Sequence, residues 1–329
     1  MTILAMFSEP TGWDANSFSG FTSSDRAVLR DTDRTRGPIW YLTGSSTAIK
    51  TFAPQNEIWV HVFAGRHSGN FNQASGDFFA LRDADNNVFF SIQNDGTTGS
   101  EVKLGAHFMS EVIVLFEGSG QAALDFFLKI DSNLGEFKVF VDGSEVYSFS
   151  GDTRGSFLSE TDKLTTAANS SSSSDDRNIT YSEIIIATTP TIGKALWTRE
   201  VTQGATHEWS GNISSVNGVE FPEAGNELTT DQANSLTRFA IQSIPQLDEG
   251  QVFAAVALET SAAADDASVI ESIDYEIYDA AGGHGVVNIE ATTGFKLHTA
   301  IWESDPRDNS DWDEVKLAEI ELGMTSKDT

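Results

Sequence analysis

The chain has 329 residues, a formal net charge of −29, a pI near 4.3, 22 Phe and no Cys. That length accommodates two domains with real cores, and the missing thiol excludes disulfides, thiolate metal sites and a cysteine nucleophile. The acidity repels nucleic acid and anionic membranes, and no stretch approaches the roughly 18 apolar residues of a membrane helix, so neither nucleic-acid binding nor membrane insertion is expected.

The first ten residues, MTILAMFSEP, lack a basic stretch and reach Glu9-Pro10 before any long apolar run, so no secretory leader is expected. GWDAN and GPIWYLTG then place Trp13, Trp40 and Tyr41 near loops. IWVHVF (58–63) reads as a strand, with His61 between Trp59 and Phe63, where a hydrogen-bonded core or groove histidine is the ordinary role. DFFALRD (77–83) and VFFSI (88–92) read as a hairpin. The acidic stretch at its tip uses turn residues, and Asp83, Asp85 and Asn87 are those a Ca2+ ion would take; it lacks the Gly and Glu of a calcium loop. No other cofactor is expected.

EVIVLFE (111–117) and LDFFLKI (124–130) are further strands. FKVFVDGSEVYSF (137–149) follows, with Asp142-Gly143 as a two-residue hairpin loop requiring φ > 0 at both positions. With that loop, Val139 pairs with Val146, and Phe137, Val139, Val141 and Val146 share one face. NSSSSSDDRN (169–178) reads as a polar low-complexity loop, and SEIIIA (182–187) as the last strand of this region.

Composition shifts near residue 195. Of the 22 Phe, 18 precede it, and net charge is −10 over 1–195 (14 Lys/Arg, 24 Asp/Glu) against −19 over 196–329 (6 and 25). The expected domains are therefore 1–195 and 196–329. The second part reads as a smaller sandwich built from LTRFAIQSI, GQVFAAVALET, SVIESIDYEIYD, GVVNIEA and GFKLHTAIWE, with AGGHG (281–285) as a turn. In WDEVKLAEIELG (312–323), Val315, Ala318 and Ile320 could face a core from a short helix, and Glu319–Leu322 could form an edge strand.

Catalytic signals are sparse. ESIDYE (271–276) invites a two-carboxylate glycosidase reading, but on a strand Asp274 and Glu276 point one way and Glu271 the other; solvated strand-face charge is the expected role. No zinc-type histidine pair, nucleophile elbow, Walker loop or dinucleotide fingerprint is present, so no catalytic residue is assigned. Trp13, Trp40, Tyr41 and His61 remain as ligand-binding candidates, since sugars stack on exposed aromatic faces; a Trp in a sandwich is more often core.

The order of IWVHVF, LDFFLKI, a strand ending in Val-Asp-Gly with its return, and YSEIIIA resembles the concanavalin A-like (laminin-G/lectin-type) jelly roll over roughly residues 18–187. The whole chain, through THEWSGNISSVNGVEFPEAGNELTT and TAIWESDPRDNSDWDEVKLAEIELGM, resembles tailed-bacteriophage virion proteins. That resemblance implies an all-β protein, an N-terminal jelly-roll sandwich followed by a smaller C-terminal β-sandwich for docking or assembly. It implies a non-enzymatic fibre, tail or head-surface component that recognises a host-surface glycan. It would be assembled in the bacterial cytoplasm with other virion proteins, as a homo-oligomer or symmetric array. A bacterial carbohydrate-binding module and a jelly-roll glycan hydrolase are the alternatives.

Overall fold

A computed structural model describes residues 2–7, 15–17, 21–23, 40–42, 47–66, 77–93, 101–117, 121–167, 179–194, 196, 201–213, 227–241, 244, 247, 252–263, 270–291 and 296–328. The expected loop at 169–178 lies outside them. The chain divides into two compact units, Met1–Trp197 and Thr198–Thr329, beside the compositional shift.

The first unit is built from β1 (Ile3–Phe7), β2 (Ala15–Ser17), β3 (Phe21–Ser23), β4 (Trp40–Leu42), β5 (Thr47–Gln55), β6 (Glu57–Arg66), β7 (Asp77–Arg82), β8 (Val88–Gln93), β9 (Glu101–Ala106), β10 (Ile113–Glu117), β11 (Gln121–Lys129), β12 (Gly135–Val141), β13 (Ser144–Gly151), β14 (Thr161–Ala167) and β15 (Ile179–Ala187). They form two antiparallel sheets. One runs β13-β12-β11-β6-β15-β4-β3, with β1 also on β15; the other is seven-stranded, β10-β9-β8-β7-β14-β5-β2. The period-two alternation of each strand puts Val60, Val62, Phe126, Phe137 and Ile184 of the first sheet against Phe79, Leu81, Phe90, Ile92 and Leu164 of the second. Phe90 meets Phe126 at 4.8 Å and Phe137 at 5.3 Å between ring centroids. Each buried Phe contributes roughly 1.5–3 kcal/mol, so this aromatic layer is the principal bond between the sheets. Tyr181 also bridges them, its buried hydroxyl donating to the Phe78 carbonyl oxygen at 2.9 Å.

The Asp142-Gly143 loop forms as its residue types require, with φ of 48° and 78°. The pairing beyond it is not the expected one. Val141 pairs with Ser144, but Val139 pairs with Tyr147 across a β-bulge. The extra residue turns Val146 outward, where it is 49% exposed, while Tyr147 packs on the core.

The second unit contains β16 (Val201–His207), β17 (Leu236–Ile241), β18 (Val256–Ala262), β19 (Ser272–Tyr278), β20 (Gly283–Glu290), β21 (Lys296–Trp302), α1 (Glu314–Ala318) and β22 (Glu321–Lys327). Five strands form one antiparallel sheet, β16-β17-β22-β19-β20, and β18 pairs with β21. The expected strand after the short helix is real but lies at the centre of its sheet, between β17 and β19, rather than at an edge. The helix presents Leu317 to the core and leaves Val315 67% exposed, because its start is set by the Asp313 side chain capping the Lys316 N–H. That cap fixes the rotation of the single turn. Both units are therefore β-rich layers around separate cores, as the strand patterning implies.

The bulge yields a test. Val146→Thr is expected to change stability by less than about 0.5 kcal/mol, whereas Phe137→Ala should cost about 3–5 kcal/mol. Urea unfolding of both variants distinguishes this register from the unbulged one, in which Val146 would also be core.

Candidate functional site

The outward face of the seven-stranded sheet carries the candidate site. Facing away from Phe79, Leu81, Phe90, Ile92 and Leu104, three small residues stand in register across adjacent strands. Gly105 on β9 pairs with Ser91 on β8, and Ser91 with Ala80 on β7. Thr165 on β14 continues the row opposite Ala80. At the usual strand spacing, four strands cover about 14 Å.

Longer polar side chains lie over this floor. The Arg82 guanidinium donates to Thr165 Oγ1 at 2.8 Å, the Asn86 carbonyl oxygen at 3.0 Å and Asp77 Oδ2 at 3.3 Å. The Gln93 amide donates to Ser91 Oγ at 2.6 Å and to Asp77 Oδ1 at 3.3 Å. A Cβ on Gly105 would stand 3.4 Å from the Gln93 amide, so glycine lets that side chain lie flat. Lys103, opposite Gln93, pairs with Glu101 at 2.8 Å, and Lys163, opposite Arg82, donates to Asn86 Oδ1 at 2.9 Å. Arg82 and Asp77 are 22% and 30% exposed. A pair that open to water adds at most about 1 kcal/mol of stability. Its chief effect is to hold donors and acceptors in fixed positions.

The sequence candidates fall elsewhere. Trp13 lies outside the described residues. Trp40 and Tyr41 belong to β4, whose backbone pairs Trp40 with Tyr181 and with Ser23. His61 is 2% exposed on the other sheet, its Nδ1–H donating to Asp125 Oδ1 at 2.9 Å and its Nε2 lying 3.6 Å from Glu183 Oε2. The hydrogen-bonded core role is the one it takes, and its burial leaves the ring no exposed face for a ligand. Burial pulls its pKa down, but the hydrogen bond to Asp125 and the nearby charges of Asp125 and Glu183 outweigh that and push it up to about 9.

Asp83, Asp85 and Asn87 form the β7–β8 turn. Asp83 is buried; its Oδ1 accepts the Asn87 N–H at 2.8 Å, and its Oδ2 accepts the Asn87 side-chain amide at 2.8 Å and the Leu158 N–H at 3.1 Å. Asp85 is exposed and Asn86 takes φ 67°. Hydrogen-bond donors thus sit on both Asp83 side-chain oxygens, and among the described residues no group of three His, Asp or Glu side chains is placed to hold a metal. In ESIDYE, Asp274 accepts from Asn288 at 2.6 Å and pairs with Lys327 at 3.5 Å, and Glu276 accepts from the Tyr278 hydroxyl at 2.5 Å. Both carboxylates are engaged within their own sheet.

The polar face escaped the sequence reading because its members lie on four strands. The one local signal was the polar residue alternating with Phe and Leu in FFALR and FFSIQ.

No family model and no curated protein matches the chain. Solved structures with some likeness include an endo-β-1,4-glucuronan lyase from the fungus Trichoderma reesei, at 15% identity and TM-score 0.40, covering 57% of this chain and 96% of that one. A mutant of the alginate lyase Aly36B in complex with alginate trisaccharide gives 8% identity and TM-score 0.32, covering 47% and 85%. Trypanosoma rangeli sialidase gives 12% identity and TM-score 0.33; the match covers 46% of this chain and only 25% of that one. These proteins are named as carbohydrate lyases and a sialidase, and none as a phage component. The expectation of a non-enzymatic fibre, tail or head-surface protein is corrected on that finding.

Asp83 supplies a test by pH. Burial works to raise its carboxyl pKa, but the hydrogen bonds from Asn87, Leu158 and Asp85 outweigh it and hold the group below its ordinary value. A depressed folded value means the stability it contributes is complete above pH about 4 and is lost as pH falls through that lowered value. Asp83→Asn should therefore cost about 1–3 kcal/mol at pH 7, and the gap from the native protein should narrow as pH falls below the ordinary carboxylate value. Urea midpoints across that range check both parts.

Proposed function

We propose that the first unit binds and processes a glycan laid across the outward face of its seven-stranded sheet. The observation that carries this reading is the hydrogen-bonded network of Gln93, Asp77, Arg82 and Thr165 over the floor of Gly105, Ser91 and Ala80.

Sugar hydroxyls each donate and accept, often in adjacent pairs. They are matched by fixed groups offering both polarities: Arg82 and the Gln93 amide as donors, Asp77 as acceptor. The side chains are already tied to one another, so little rotamer freedom is lost when a ligand arrives. The small residues beneath are themselves buried and let the polar side chains above them lie low against the sheet, as a flat surface rather than a closed pocket. The carboxylates Asp77 and Glu101 and the cations Arg82 and Lys103 are the groups on this face suited to proton transfer and to stabilising developing charge during bond cleavage.

Incubation with a panel of neutral and uronic-acid polysaccharides tests this. Reducing ends report any cleavage, and absorbance near 235 nm distinguishes elimination from hydrolysis. Affinity electrophoresis reports binding. One or more glycans should be retarded and degraded, and Gln93→Ala and Arg82→Ala should each weaken retardation by at least about tenfold, on the order of 1.4 kcal/mol, with unchanged circular dichroism. A panel that is neither bound nor cleaved, or retardation indifferent to both substitutions, overturns the proposal.

A further inference from the structure

The outward face of the other sheet holds a second, independent device. His61 on β6 stands opposite Asp125 on β11, and Glu183 reaches it from β15. All three are at most 2% exposed. A strap, beginning at Thr188, continues from β15 over this face. It starts where the Thr188 N–H donates to the Thr2 carbonyl oxygen at 2.9 Å. Thr191, fully buried, donates its hydroxyl to Asp125 Oδ1 at 2.7 Å. Ile192 lies against the β12–β13 turn, 3.9 Å from where a Cβ on Gly143 would stand. A turn closed by the Lys194 N–H on the Thr191 carbonyl oxygen, with Gly193 at φ 75°, sends the chain back. The Leu196 N–H then donates to Glu183 Oε2 at 3.0 Å.

The two carboxyl groups that hold the strap are thus the two that flank His61. We infer that His61 is the charge switch of a latch: its imidazolium keeps Asp125 and Glu183 in place beneath the strap, and its deprotonation frees the strap from the sheet. Among the described residues His61 is the single cation of this buried site, between two carboxyl groups, and Asp125 Oδ2, Glu183 Oε1 and His61 Nε2 have no hydrogen-bond partner there. Electrostatic attraction to the ring therefore carries the balance of the site, and breaking a buried pair by removing one partner is far more disruptive than losing a surface pair. The titratable groups facing His61 from the packed elements are Asp125 from β11 and Glu183 from β15; the strap's own cation, Lys194, is turned to the Pro190 carbonyl oxygen at 2.6 Å.

The direction follows from linkage. His61 is pushed up to about 9 in the folded protein from an ordinary value of 6.5. A raised folded value makes the latch strongest below pH 6.5 and weakens it as pH rises through about 9. The window of release is therefore alkaline.

Lys194 makes the strap a tryptic site, and cleavage there reports its opening when reclosing is fast. Cleavage of the full chain after Lys194, normalised at each pH to a free peptide of residues 188–200, should rise at least about tenfold between pH 7 and pH 10. Cleavage after Lys138, inside β12, should stay negligible. His61→Gln should show the high rate already at pH 7, with no further rise. If that variant does not fold, Thr191→Val removes the strap's bond to Asp125 while replacing none of the three ionisable groups; it should raise cleavage at every pH and keep a slope set by His61. A flat profile in the native protein, a slope that survives in folded His61→Gln, or cleavage after Lys138 rising in step would each overturn the latch.

Discussion

The contact of Phe90 with Phe126 and Phe137 joins the two sheets of the first unit, and the rest of that unit depends on it. Apolar rings fill the space between the sheets, so every second residue on each central strand is committed to the core. The residues between them are released from that duty. On β7 and β8 the released positions include Ala80, Arg82, Ser91 and Gln93; on β6 and β11 they include His61 and Asp125. One packing decision thereby produces two polar faces with opposite characters.

The difference between the faces is one of solvent. Arg82 and Asp77 remain partly open to water, so their attraction is screened and their value lies in geometry. His61, Asp125 and Glu183 are roofed by the strap, where charge is strongly felt and a single proton alters the balance. An open polar plane suits exchange of one hydroxyl-rich ligand for water. A closed ionic triad suits holding a segment of the chain itself.

What the sequence revealed follows the range of the physics involved. Asp142-Gly143 was legible because the loop's requirement for positive φ is met by its own two residues. The β7–β8 hairpin was legible for the same reason, with Asp83 serving its turn. The bulge at Val146 was not, since it is set by which of Val146 and Tyr147 fills the space beside Phe137, a matter of tertiary packing. Nor was the centrality of β22, whose neighbours β17 and β19 come from separate parts of the chain. Both polar faces required strand order as well as strand identity. His61 and Asp125 are 64 residues apart, and only sheet register makes them neighbours.

The position of β22 also governs how the second unit can come together. The hairpin of β19 and β20 can close locally, as can the pairing of β16 with β17 across a longer loop. Neither pair reaches the other until β22 enters between them, bonding β17 along one edge and β19 along the other. The keystone of this sheet is thus the strand made after all its neighbours. Until it arrives, two ribbons expose open edges of the kind that invite pairing with other chains. The first unit, complete by Trp197, carries no such debt to later sequence. During synthesis the two halves therefore run on different clocks, and the acidic surface of the second, at −19, is well suited to keeping its unfinished edges apart.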